Sequence, residues 1–92
     1  MKDTIIISET FRDYLESLDY EKRARANLIA FMLTNNMAND TMFEKIHTEY
    51  LEFFIQYELA KKMLENFYIT PQHKIFSSWT LDFQSKEVTI YE

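Results

Sequence analysis

The chain has 92 residues, 47% of them apolar and 27% charged, with a formal net charge of −5; this is globular composition on the scale of one modest core. It contains no cysteine and no glycine, which excludes disulfides, thiolate nucleophiles and cysteine zinc sites, along with phosphate loops and dinucleotide fingerprints in their usual glycine-built form. The acidic balance argues against a general binder of nucleic acid or anionic membrane, because phosphate contacts need Lys and Arg.

The N-terminal arm or strand, residues 1–9, lies in "MKDTIIISET" (1–10), where Ile5–Ile7 are the only apolar run. Three residues are too few for the apolar segment of a signal peptide. The β-branched "TIIIS" fits a short strand or an apolar arm packed on helices, its pairing left open. The longest apolar run, Leu28–Leu33, falls far short of the roughly 20 residues that span a bilayer. The expected setting is therefore the cytoplasm, without membrane association.

Residues 10–36 are expected to be helical. Ser8 or Thr10 supplies a cap, and Phe11, Leu15 and Leu18 follow helical spacing in a short first helix. Asp19 either continues that helix or caps a second, which runs through "EKRARANLIAFMLTNN" with no Pro or Gly to stop it. The tract Asn35, Asn36, Asn39 and Asp40 provides the break. Lys22, Arg23 and Arg25 form the basic cluster of the chain, and Glu21 stands four residues before Arg25. That spacing favours a solvated, salt-bridged face over a phosphate site.

A long helix is expected over 41–69. Thr41 and Glu44 match a capping box, and Asp40 offers a second cap. Phe43, Ile46, Tyr50, Phe53, Tyr57, Ala60, Leu64 and Phe67 alternate spacings of three and four, which is a heptad seam. Tyr50 and Tyr57 on that seam suit packing, with their hydroxyls at its rim. Pro71 sets the end of the helix, since the residue before proline disfavours helical geometry. At about 1.5 Å per residue the helix is on the order of 37 Å long.

This helix carries a second apolar stripe. Leu51, Ile55 and Leu59 repeat every four residues and point roughly 180° away from the seam. The antiparallel preceding helix covers one side, which leaves the other for the carboxy-terminal segment or for another chain. In that segment, 78–91, Trp79, Leu81 and Phe83 alternate with polar residues, as do Val88 and Ile90. This is a β-hairpin with a loop of about four residues, because tighter turns prefer glycine. Such a hairpin, anchored by Trp79, would cover the second stripe. Alternatively the stripe meets its counterpart in a second copy, as a twofold dimer.

The expected fold is mainly α within a single domain, 1–92. It is an antiparallel helical hairpin or small bundle, with two long helices, a short N-terminal helix and a C-terminal β-hairpin. For chemistry, Glu44 and His47 form an E-x-x-H pair, of which di-iron bundles use two together with two further Glu. A lone pair is better explained by the cap and the seam edge. His73 lies in the proline-containing connector with no local partner and is expected to be exposed. Ser8, Ser17, Ser77, Ser78 and Ser85 lack the sharp turn that presents a nucleophile.

The expected role is therefore a non-enzymatic protein-protein interaction or scaffold module without a cofactor. It self-associates, most simply as a dimer, through Leu51, Ile55 and Leu59. One alternative is a small acidic inhibitor of the kind carried by phages or mobile elements, filling the basic groove of a partner protein. A third is a metal-binding bundle using Glu44 and His47.

Overall fold

The computed structural model describes residues 2–92. In chain order the elements are strand β1 (Lys2–Ile6), helix α1 (Glu9–Thr34), helix α2 (Thr41–Leu64), a π-helical turn (Glu65–Ile69), and strands β2 (Ser78–Asp82) and β3 (Glu87–Tyr91). The strands make one antiparallel sheet in the order β1-β3-β2. One expectation changes here and one alternative is decided. The short N-terminal helix does not exist as a separate element, and of the two readings of the N-terminal segment, arm or short strand, the strand is the one that forms, paired over Lys2–Ile6.

The strand forms because β3 has a free side. The β2-β3 hairpin forms as expected, but its loop is 83–86 between the paired residues Asp82 and Glu87, so Phe83 leaves the strand. On the other side of β3, Ile5 pairs with Val88 and Asp3 with Ile90. Residues directly opposite in an antiparallel pair share a face. Ile5, Val88 and Ile90 therefore join Trp79 and Leu81 on one side of the sheet.

The correction follows from an absence of breakers. From Glu9 to Thr34 no residue stops the helix, and Asp19 does not cap a new one. Its carboxylate, nearly buried, is met by Arg23 Nε at 3.1 Å and Lys22 Nζ at 3.8 Å, one turn further along. Ser8 caps α1, its Oγ accepting the Phe11 N–H at 3.1 Å.

The end of α1 is built without glycine. The Met37 N–H donates to the Met32 carbonyl at 2.8 Å and the Asn36 N–H to the Leu33 carbonyl at 3.3 Å. This is a Schellman closure, and Asn36 takes the left-handed conformation, φ 57°, where glycine would be usual. Asp40 rather than Thr41 then caps α2, its Oδ1 accepting the Met42 N–H at 2.8 Å.

The seam of α2 is buried or half-buried from Phe43 to Leu64, as its spacing predicts, but Phe67 is exposed. The cause is the π-helical turn, whose Thr70 N–H bonds the Glu65 carbonyl five residues back at 2.8 Å. One wider turn shifts the phase of everything after it. Burial passes from Leu64 to Ile69, not to Phe67.

The chain divides into two compact units. One comprises the residues up to Glu16 with Leu59–Glu92, and the other is Ser17–Glu58. The largest fully buried side chains, Leu15, Leu64, Ile69, Val88 and Ile90, all belong to the first unit, where sheet and helix ends form the core. Each contributes about 1.5–3 kcal/mol by leaving water.

Candidate interaction surface

The second unit is a pair of helical segments with antiparallel contacts. Lys22 meets Tyr57, while Arg25 meets Phe53 and Glu49. The α1 seam explains this order. Phe11, Leu15, Leu18, Lys22, Arg25, Ile29 and Met32 follow alternating spacings of four and three, and all are buried or half-buried. Two basic residues thus occupy seam positions.

That arrangement overturns the expectation of a solvated basic face for Lys22 and Arg25; of the cluster, only Arg23 is exposed. Lys22 Nζ lies 4.4 Å from the Tyr57 ring centre and 5.9 Å from that of Phe54. The Arg25 guanidinium lies 4.8 Å from the Phe53 ring. The ring faces attract the cations while the aliphatic stems bury against the partner helix. Glu21 pairs with Arg25 as its spacing predicts, and Glu49 approaches the same guanidinium at 3.9 Å. An open groove of about 220 Å³ lies beside these contacts, with Leu28, Met42 and Ile46 on its apolar wall.

The interface is therefore lean in aliphatic burial. Among the described residues of this unit, Leu18, Met32 and Ile46 are the buried hydrophobics. By contrast Leu51 is 44% exposed, Ile55 57% and Phe31 58%, and Leu28, Leu33, Met42 and Phe54 are exposed as well. Leu59, one turn beyond Ile55 on α2, is 60% exposed. Each of the three residues singled out on the second stripe thus lies open to solvent, Leu51 and Ile55 in the second unit and Leu59 in the first.

Trp79 is placed elsewhere. It is half-buried in the first unit, where its Nε1–H donates to Glu65 Oε1 at 2.9 Å. Glu65 belongs to the π-helical turn and is itself approached by Lys62 at 3.8 Å. Trp79 therefore anchors the hairpin to the end of the α2 segment. Glu44 and His47 are both exposed on α2, and the His47 ring stacks on Phe43 with centres 6.1 Å apart. Among the described residues no three His, Cys, Asp or Glu side chains gather as a metal site, and no helix is long and apolar enough to cross a membrane.

His73 departs from its expected exposure. Its side chain is 15% exposed, with Nε2 2.7 Å from Asp3 Oδ2 and Nδ1 2.6 Å from Glu92 Oε1. Ionised carboxylates only accept, so this pair of contacts favours the imidazolium, which alone donates from both ring nitrogens. The bonds to Asp3 and then Glu92 raise the His73 pKa above its ordinary value of 6.5. His73, with the Thr4 N–H, holds Asp3 below its ordinary 3.8. No local signal marks this trio, because its members lie 70 and 19 residues apart. Compared with protein-family models, curated proteins and solved structures, the chain matches none.

Proposed function

We propose that this protein is a non-enzymatic assembly module that pairs with a second copy of itself through the helical segments of its second unit. The observation that carries the reading is the contrast within that unit. Its own interface is made of cation-aromatic contacts with few buried aliphatics, while Leu51 and Ile55 lie bare on the opposite face of α2. A contiguous exposed apolar face on a small protein marks an interaction site. Two helices that leave such a face open are completed by two more, in a four-helix arrangement. The absence of cysteine suits work in a reducing, cytoplasmic compartment.

Light scattering on a sizing column, across protein concentration and salt, tests this reading. The expected result is a dimer that persists at high salt, since apolar contacts are little screened. A monomer at every concentration would overturn self-association. A dimer that dissolves as salt rises would instead place the contact among the scattered charges.

A further inference from the structure

We infer that Asp3, His73 and Glu92 form a protonation-gated clasp that fastens strand β1 to the sheet and releases it when the imidazole ring loses its proton. The trio joins three separate parts of the first unit. Asp3 lies in β1, Glu92 directly follows β3, and His73 stands in the turn after the π-helical segment. The turn is held rigidly, because the His73 N–H donates to the Ile69 carbonyl at 2.7 Å and Ile69 is fully buried. The ring is thus a fixed point to which the two sheet elements are tied.

β1 is the strand with the least else to hold it. It is an edge strand, and of its residues only Ile5 is even half-buried. The Ile7 N–H points inward to the Lys86 carbonyl at 3.0 Å, whereas the Thr4 N–H bonds the Asp3 carboxylate at 2.8 Å. In an antiparallel edge strand, alternate amides point toward the partner and away from it. Asp3 therefore serves two purposes: Oδ1 covers an outward amide of the free edge and Oδ2 receives the His73 proton donor.

A neutral imidazole has one N–H and one lone pair. After deprotonation one ring nitrogen must present its lone pair to a carboxylate, so one arm of the clasp changes from attraction to repulsion. The charged groups that act on His73 are Asp3 from β1 and Glu92 after β3, and both favour the imidazolium. The clasp is closed where His73 is protonated and Asp3 ionised. It opens as pH rises through the raised His73 pKa.

The test follows the His73 ring signals by NMR together with amide hydrogen exchange, corrected for the intrinsic pH dependence of exchange. Between pH 5.5 and 8.5 the His73 midpoint should lie above 6.5. Protection of the Ile5 and Ile7 amides should fall across that midpoint by up to about tenfold per pH unit, the limit for release of one proton. The β2-β3 amides should hold. In His73→Gln the pH dependence of β1 should vanish, and in Asp3→Asn the ring midpoint should drop. A midpoint at or below 6.5, parallel loss of protection in β1 and β2, or a β1 pH dependence that survives His73→Gln would each overturn the clasp. If His73→Gln does not fold, an unchanged ring midpoint in Asp3→Asn does so alone.

Discussion

At Asn36, φ is 57° and the residue closes α1 in place of glycine. A side chain with a Cβ is penalised in the left-handed region, Asn less than most. Asn36→Gly should therefore leave stability unchanged or raise it by a few tenths of a kcal/mol. Asn36→Val should lower it by about 1–2 kcal/mol, read from urea midpoints. Lys86, at φ 63° in the hairpin loop, is a second such position. The titrating residues set the pH limits of the first unit. His73 has a raised pKa, so its contribution is complete below 6.5 and is lost as pH rises through the folded value. Asp3 has a lowered pKa, so its contribution is present above 3.8 and is lost as pH falls through the folded value. Thermal melts across pH should show one loss as pH rises above 6.5 and the other as it falls below 3.8, and Asp3→Asn should blunt both.

Among the elements, α2 joins two kinds of packing on one helix. Leu64 is fully buried and Leu59, five residues earlier, is 60% exposed. Leu64→Ala should cost about 2–5 kcal/mol, the range for a large aliphatic side chain removed from a core. Leu59→Ala should stay within about 0.5 kcal/mol in the monomer. Chemical denaturation of both variants at low protein concentration checks the contrast. Where α1 meets α2, the cations of Lys22 and Arg25 replace aliphatic knobs. A double-mutant cycle of Lys22→Met with Tyr57→Leu should give a coupling of about 0.5–2 kcal/mol. Methionine keeps the length of the stem and removes the charge, so a coupling near zero would mean that the stem alone holds the contact.

For the whole molecule, the division of burial matters most. The first unit encloses the largest buried side chains, and the second leaves Leu28, Leu33, Leu51, Ile55 and Phe31 exposed. If the second unit completes itself in a dimer, Ile55→Glu should weaken association at least about 100-fold, which corresponds to about 2.8 kcal/mol. Helix content by circular dichroism should be nearly unchanged, because Ile55 already faces solvent in the single chain. An unchanged dimer in that variant would move the contact to another face.

Elements with local signals are legible in the residue pattern. Alternating spacing sets the α2 seam from Phe43 to Leu64, the Asn35–Asp40 tract sets the break, and period-two alternation makes β2 and β3 a hairpin. The α-helix, however, stops at Leu64 and not at 69, and Thr70 before Pro71 keeps helical angles, φ −56° and ψ −36°. Tertiary structure decided what depends on residues far apart in the chain. β1 is a strand because β3 has a free side to pair with, and Lys22 and Arg25 leave the solvent because aromatic rings face them on α2. Phe67 turns outward because a single wide turn shifts the helix phase, and the His73 pKa is raised because two carboxylates from distant segments converge on it. Periodicity records which way a side chain points along its own element, but partners that arrive from elsewhere in the chain leave no local mark.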